Sequence, residues 1–297
     1  MKLIKNKKQP LELVINLHLT EKCNFSCNYC YATWGKPLAN KELHRQKGSI
    51  DELIKMLSLY FLSPNPILNK MKYNQVRINF AGGEPMMLGD KFTSAIKQAK
   101  KNGLRTSVIT NGYYLTDDFL NSNSSLLDMI GISFDSVSTK TAQEIGRCSS
   151  KGNTVELDDL MRISKKYKSV NPSGKLKINT VVNSINVNEC MNEAITAIAP
   201  DKWKVLRVLP VYKSIVPVVD KKYMDFLERH KNLANIQVAE DNVTLQLSYL
   251  MINPSGRFFQ NKEIGNGYKL SEPILDVGVE EAIKSIDFDI DMFLDRY

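Results

Sequence analysis

Short apolar, β-branched runs alternate with amphipathic stretches through the first two thirds of this chain, and that alternation narrows the fold more than any other feature. Residues 11–19, 76–80, 104–110, 128–134, 176–182 and 205–209 read as strands. Residues 91–101, 157–167 and 187–198 carry apolar side chains at helical spacing. Ser49 stands as an N-cap ahead of Leu53, Ile54, Met56 and Leu57. Strands separated by helices predict parallel βαβ units. About six such units predict an α/β fold, an open, partial (βα)6 barrel rather than a closed eight-fold one. A chain of 297 residues can form such a barrel as one unit.

Past residue 216 the rhythm changes. Residues 222–231 are helix-like, residues 246–259 around Asn253-Pro254-Ser255-Gly256 read as a β-hairpin, and residues 279–285 as a last helix. The expected organisation is a basic tail over 1–10, a partial barrel over 11–215, and an extension over 216–297 packed on it as a lid or flank. In such barrels the reactive residues gather at the carboxyl ends of the strands. The cysteine-rich run at 23–30, Gly82-Gly83, Asn111-Gly112 and residues 133–136 all fall at predicted strand ends.

That cysteine run reads CNFSCNYC, with Cys23, Cys27 and Cys30 and no fourth cysteine nearby. Three thiolates on one tight loop can hold three irons of a 4Fe–4S cube and leave the fourth iron without a protein ligand, whereas an electron-carrying cluster normally has all four corners closed. An open corner is a coordination site for something that reacts. The competing reading is a structural zinc with His18 or His44 as fourth ligand, but zinc sites usually pair their ligands as two doublets and no second doublet is present. Five cysteines in all, an odd number, suit a reducing compartment better than a disulfide scaffold, and Cys148 and Cys190 read as small, partly buried residues.

Hydrophobic residues make up 43% of the chain, and no apolar run approaches the roughly 20 residues of a membrane span. The basic N-terminus lacks the apolar stretch of a signal peptide, so a cytoplasmic location is expected. The net charge of +8 leaves nucleotides, nucleic acid and membrane surfaces open as partners. No basic stretch interleaved with aromatics points to stable nucleic-acid binding.

The CxxxCxxC run, with Tyr29 just before its last cysteine, resembles the cluster loop of the radical S-adenosylmethionine (SAM) superfamily. Gly82-Gly83-Glu84-Pro85, about fifty residues on, resembles the motif that receives the amino group of SAM; alone, a Gly-Gly turn after a strand is a weak signal. The resemblance implies a 4Fe–4S cluster on Cys23, Cys27 and Cys30, with SAM on the open iron and cofactor contacts from Tyr29, Gly82, Gly83, Glu84, Ser133 and Arg147. Ser133 would meet the ribose or methionine end of SAM, and Arg147 the methionine carboxylate, a task suited to guanidinium. The plainer alternatives are a strand-end cap for Ser133 and a surface side chain for Arg147.

Longer strings, among them Val14-Ile-Asn-Leu-His-Leu-Thr20, Ile78-Asn-Phe-Ala-Gly-Gly-Glu-Pro85, Lys177-Ile-Asn-Thr-Val-Val-Asn183 and Ile274-Leu-Asp-Val-Gly-Val-Glu280, resemble viperin and its prokaryotic relatives from about Leu11 onward. That resemblance implies an enzyme taking CTP, UTP or GTP to its 3′-deoxy-3′,4′-didehydro analogue, an antiviral chain terminator. The C4′ hydrogen goes to a 5′-deoxyadenosyl radical and the 3′-hydroxyl leaves as water. It also implies an electron donor such as flavodoxin or ferredoxin. The amphipathic membrane anchor of animal viperins is not seen, so no membrane partner is expected.

Arg77, Lys177 and Lys204 coincide with triphosphate-binding positions of the family, Arg77 replacing a lysine. Each lies in or beside a predicted strand, where an inward charge is costly unless it meets an anion; outward, solvated side chains are the alternative. Asn16 and Asn179 match substrate contacts, and Tyr249 matches the tyrosine proposed to deliver hydrogen or a proton, with plain aromatic packing as its alternative. Ala81 stands where animal viperins have serine, a departure that bears on base preference. The other readings are a radical SAM enzyme that modifies peptide or RNA, and a zinc-stabilised binding protein.

Overall fold

The computed structural model describes residues 12–34, 41–209, 217–241, 248–261 and 267–294, so the basic tail lies outside the described residues. Ten strands form one sheet: β1 (Glu12–His18), β2 (Gln75–Ala81), β3 (Arg105–Thr110), β4 (Met129–Ser133), β5 (Lys175–Val182), β6 (Lys202–Arg207), β7 (Gln237–Glu240), β8 (Leu250–Ile252), β9 (Phe258–Asn261) and β10 (Tyr268–Leu270). Their order is β10-β9-β8-β1-β2-β3-β4-β5-β6-β7. From β1 to β7 every neighbour is parallel and consecutive, so the sheet winds one way without a switch point. β8 joins the other flank parallel to β1. Among the described residues β7 and β8 are not hydrogen-bonded to each other, and the sheet is open at that seam. This is the expected partial barrel.

The crossovers are helical: α1 (Ser49–Phe61) and α2 (Pro66–Met71), then α3 (Asp90–Lys101), α4 (Asp117–Asn123), α5 (Thr139–Ile145) and α6 (Leu157–Val170), α7 (Asn192–Ile198), and α8 (Asp220–Arg229). Alternation along each strand sorts the side chains. Leu13, Ile15 and Leu17 of β1, Ile78 and Phe80 of β2, Ile178 of β5 and Trp203 of β6 pack with Leu53, Leu57, Phe92 and Ile163 of the helices in one core. Each large side chain buried there contributes about 1.5–3 kcal/mol. The opposite parity faces the barrel interior and is polar: Asn16, Arg77, Asn79, Ser107, Lys177, Asn179 and Lys204.

That polar interior explains where the strand limits differ from expectation. β6 begins at Lys202 rather than residue 205, because Lys202 and Lys204 alternate with the fully buried Trp203 and Val205. Charged residues on the inner face hid the period. α1 starts after Gly48, at φ +84°, rather than after a serine cap. α7 starts at Asn192 because Asn183 and Asn186 build a turn first, Asn183 N–H donating to Asn186 Oδ1 at 2.8 Å. The expected hairpin forms between β8 and β9, its turn held by Asn253 Oδ1, which accepts from the N–H groups of Ser255 and Arg257. Short helices α9 (Ile274–Val277), α10 (Val279–Ile283) and α11 (Ile290–Leu294) follow.

Candidate active site

The cysteine loop leaves the carboxyl end of β1 and docks on two neighbours through backbone hydrogen bonds. On one side Gly83 N–H donates to Thr20 O at 2.7 Å and Glu84 N–H to Lys22 O at 2.8 Å. On the other, Ser26 N–H donates to Gly146 O and Asn28 N–H to Ile145 O, at the end of α5. The approach is too close for side chains: a β-carbon on Gly83 would lie 2.2 Å from Lys22 O, and one on Gly146 2.3 Å from Ser26 O. Gly82 likewise abuts Thr20. The glycines at the second strand end therefore seat the cysteine loop itself. Glu42, which sequence reasoning did not single out, accepts from Glu21 N–H at 2.6 Å and Thr20 Oγ1 at 3.1 Å, with His44 Nε2 at 2.5 Å.

Donors converge on the sulfurs. Phe25 N–H donates to Cys23 Sγ at 3.3 Å, Asn111 Nδ2 approaches it at 3.8 Å, and Arg147 donates to Cys27 Sγ at 3.5 Å. Burial pushes the Cys23 thiol up and the Cys30 thiol to about 11. Among the described residues no three His, Cys, Asp or Glu side chains stand in a metal-ready grouping. His18 is instead enclosed by the edges of Tyr31, Trp34 and Phe259, where burial lowers its pKa to about 3. N–H···S donors on loop cysteines are the surroundings that iron–sulfur thiolates use, so the residues present fit such a cluster.

Beside the loop, Arg147 pairs with Asp135 at 3.1 Å and donates to Ser133 O at 2.5 Å, while Tyr29 donates to the same Asp135 carboxylate. Burial opposes the Arg147 charge, but Cys27, Tyr29 and Asp135 outweigh it and hold the guanidinium ionised. Glu84, wholly buried, accepts from Thr110 Oγ1 at 2.8 Å and from the N–H groups of Asn111 and Met86. Burial raises its pKa to about 7 against those hydrogen bonds.

Inside the barrel the structure joins the other expected residues into two groups. Glu12 accepts from Arg77 Nε at 2.7 Å, and Arg77 donates to Ser107 Oγ at 2.6 Å. Ser107 donates to Asn79 Oδ1, and Asn79 to Asn16 Oδ1, both at 2.7 Å. In the second group Lys204 Nζ stands 2.6 Å from Glu240 Oε1 and 2.7 Å from the Tyr249 hydroxyl. Lys177 lies between them: burial first, then Lys204, Arg77 and Lys202, push its pKa well down, opposed by Glu240. Asn179 sits in register between Ser133 and Lys204, linking the two ends of the site. Glu12, Asn79, Ser107, Asp135 and Glu240 complete these networks. Their available signal was parity, since each shares the inner face, or its strand end, with a residue already chosen.

Residues 17–184 match the Radical SAM superfamily, a span that runs from the end of β1 through β5 and includes both cofactor-side motifs. The chain belongs to the radical SAM superfamily. A protein of Pseudoalteromonas ulvae named S-adenosylmethionine-dependent nucleotide dehydratase is 46% identical to this radical SAM enzyme over 96% of its chain and 93% of the relative's. One of the same name from Psychrobacter lutiphocae is 38% identical over 98% and 97%. The solved structure of native anSMEcpe with bound AdoMet superposes with a TM-score of 0.64 at 15% identity, over 96% of this chain and 82% of that one, a likeness of fold alone. Radical SAM enzymes carry a 4Fe–4S cluster and SAM. No helix among the described residues is long and apolar enough to cross a membrane.

Proposed function

We propose that this radical SAM enzyme dehydrates a ribonucleoside triphosphate to its 3′-deoxy-3′,4′-didehydro analogue, a chain-terminating, antiviral nucleotide. The observation that carries the reading is the charge of the barrel interior. Arg77 of β2, Lys177 of β5 and Lys204 of β6 lie on the inner face; Glu12 and Glu240 pair with Arg77 and Lys204, and Lys177 stands among these cations. Lys177 in particular is held among like charges, and a triphosphate would relieve that repulsion with charge-assisted hydrogen bonds. The named relatives at 46% and 38% identity support a nucleotide as substrate.

In this reading Cys23, Cys27 and Cys30 hold the cluster. Tyr29, Gly82, Gly83, Glu84, Ser133 and Arg147 form the SAM side. Asn16, Arg77, Lys177, Asn179 and Lys204 hold the nucleotide, and Tyr249 handles the proton or hydrogen. When bound, cluster and SAM supply the 5′-deoxyadenosyl radical that takes the C4′ hydrogen. The chain's own residues then do three things. The interior cations fix the triphosphate, Asn16 and Asn179 orient the ribose, and the packed inner face excludes water. Loss of the 3′-hydroxyl as water requires one proton, and completion of the product one electron, from a donor of the flavodoxin or ferredoxin kind.

The test uses anaerobically reconstituted protein, reduced with SAM and given ATP, GTP, CTP or UTP separately. One nucleotide should strongly stimulate 5′-deoxyadenosine formation and yield a product lighter by one water. Slow, equal 5′-deoxyadenosine with every nucleotide would sink the proposal and redirect the search to peptide and RNA substrates.

A further inference from the structure

The seam of the open barrel is bridged by side chains. Among the described residues β7 pairs with β6, β8 pairs with β1 and β9, and no ladder joins β7 to β8. Across that gap Tyr249, one residue before β8, donates its hydroxyl proton to Oε2 of Glu240, the last residue of β7, at 2.7 Å. Lys204 of β6 donates to the Tyr249 hydroxyl at 2.7 Å, and its Nζ lies 2.6 Å from Glu240 Oε1. The same Nζ stands 5.2 Å from the Tyr249 ring centroid. The Lys204 and Glu240 side chains are 13% and 5% exposed, so these contacts are formed with little water to compete.

A phenol hydroxyl turns freely about its C–O bond until partners fix it. Here one carboxylate oxygen takes its proton and one ammonium occupies a lone pair, so the direction of the O–H bond is set by Glu240 and its acceptor side by Lys204. A carboxylate this buried is costly unless paired. Its two oxygens are divided between Lys204 and Tyr249, which is the arrangement that aims a hydroxyl rather than one that merely neutralises a lysine.

We propose that Glu240 is a positioning residue for Tyr249, holding its hydroxyl at the angle and charge balance that the dehydration step needs. This rests on the nucleotide-dehydratase reading above. Glu240 is not placed in contact with the nucleotide. It acts through Tyr249, and its loss separates radical formation from product formation.

The experiment measures, in one assay, 5′-deoxyadenosine formed and dehydrated nucleotide formed, for wild type, Glu240→Gln, Glu240→Asp, Tyr249→Phe and the double variant E240Q/Y249F. Glu240→Gln is expected to keep forming 5′-deoxyadenosine while its yield of dehydrated nucleotide per 5′-deoxyadenosine falls about tenfold or more, the scale of a misplaced catalytic group. If Glu240 acts through Tyr249, the double variant should lose no more coupling than Tyr249→Phe alone. Wild-type coupling in Glu240→Gln, or losses that simply add in the double variant, would overturn the proposal. Should Glu240→Gln not fold, Glu240→Asp gives the same readout, because its shorter carboxylate cannot span the seam. Tyr249→Phe with wild-type coupling overturns the proposal whatever the Glu240 variants do. A wild-type protein with no nucleotide-dependent 5′-deoxyadenosine removes the dehydratase reading itself, and is seen before any variant is compared.

Discussion

The Lys177 side chain passes directly over the α-carbon of Gly131 on the neighbouring strand. A β-carbon at 131 would lie 3.0 Å from Lys177 Cε and 2.4 Å from Ile109 Cδ1. The missing side chain thus leaves a slot in which the lysine reaches the barrel interior. Gly131 pairs with Lys177 in register and needs no left-handed backbone, so its role is space rather than conformation.

Gly131→Ala is therefore expected to fold but to displace the Lys177 ammonium. Nucleotide affinity should fall about tenfold, an energy of about 1.4 kcal/mol. Titration calorimetry with the preferred triphosphate checks this, with the thermal midpoint as the control for folding. Unchanged affinity would mean that Ile109 alone gives way.

Gly146 carries both kinds of constraint, φ +83° and a β-carbon position 2.3 Å from Ser26 O. Gly146→Ala is expected to cost about 1–3 kcal/mol in backbone strain and to lift the cysteine loop off α5. Iron and sulfide bound per chain after reconstitution should drop, together with the brown colour.

The buried Glu84 carboxyl has its pKa raised from the ordinary 4.5 to about 7. The folded state therefore binds its proton more tightly than the unfolded state does. Its contribution to stability is fullest below about pH 4.5 and is lost as pH rises through about 7. Glu84→Gln removes the titrating group and with it this pH dependence. Relative to wild type it should gain thermal stability from pH 5 to pH 8, by an amount on the order of 3 kcal/mol. Parallel midpoints for the two proteins across that range would refute the assignment.

His18 behaves oppositely. Burial lowers its pKa to about 3 from 6.5, and neither ring nitrogen has a hydrogen-bond partner among the described residues. Its neutral form supports the fold above about pH 6.5, and that support is lost as pH falls toward 3. The surrounding rings of Tyr31, Trp34 and Phe259 suit an apolar aromatic. His18→Phe should raise the thermal midpoint at neutral pH and flatten its decline between pH 6.5 and 4. Unfolding scans at several pH values measure both.

The Lys202–Lys204 stretch shows how far the sequence can be read. From sequence its strand reads only from residue 205, since two lysines in three residues look like a solvated surface. Once Trp203 and Val205 are seen to face the helices, the same lysines must face the barrel interior. Glu240 is hidden for a similar reason: next to Asp241, nothing local marks it as buried. Arg77 reads as a candidate phosphate ligand through the family resemblance, but its carboxylate partner Glu12 stands 65 residues away.

What the sequence determined by itself is whatever depends on short covalent spacing. Three cysteines within eight residues, a Gly-Gly turn after a strand and the alternation of strand with helix all act over a few residues, and pattern alone reports them. Tertiary structure alone decided which polar side chains meet. Strand order and register bring Arg77 to Glu12, seat the cysteine loop on Gly146, and carry Glu240 across the seam to Tyr249. Those pairings depend on how the sheet curves and where it stays open, since a charge inside a barrel finds its partner across strands and not along the chain.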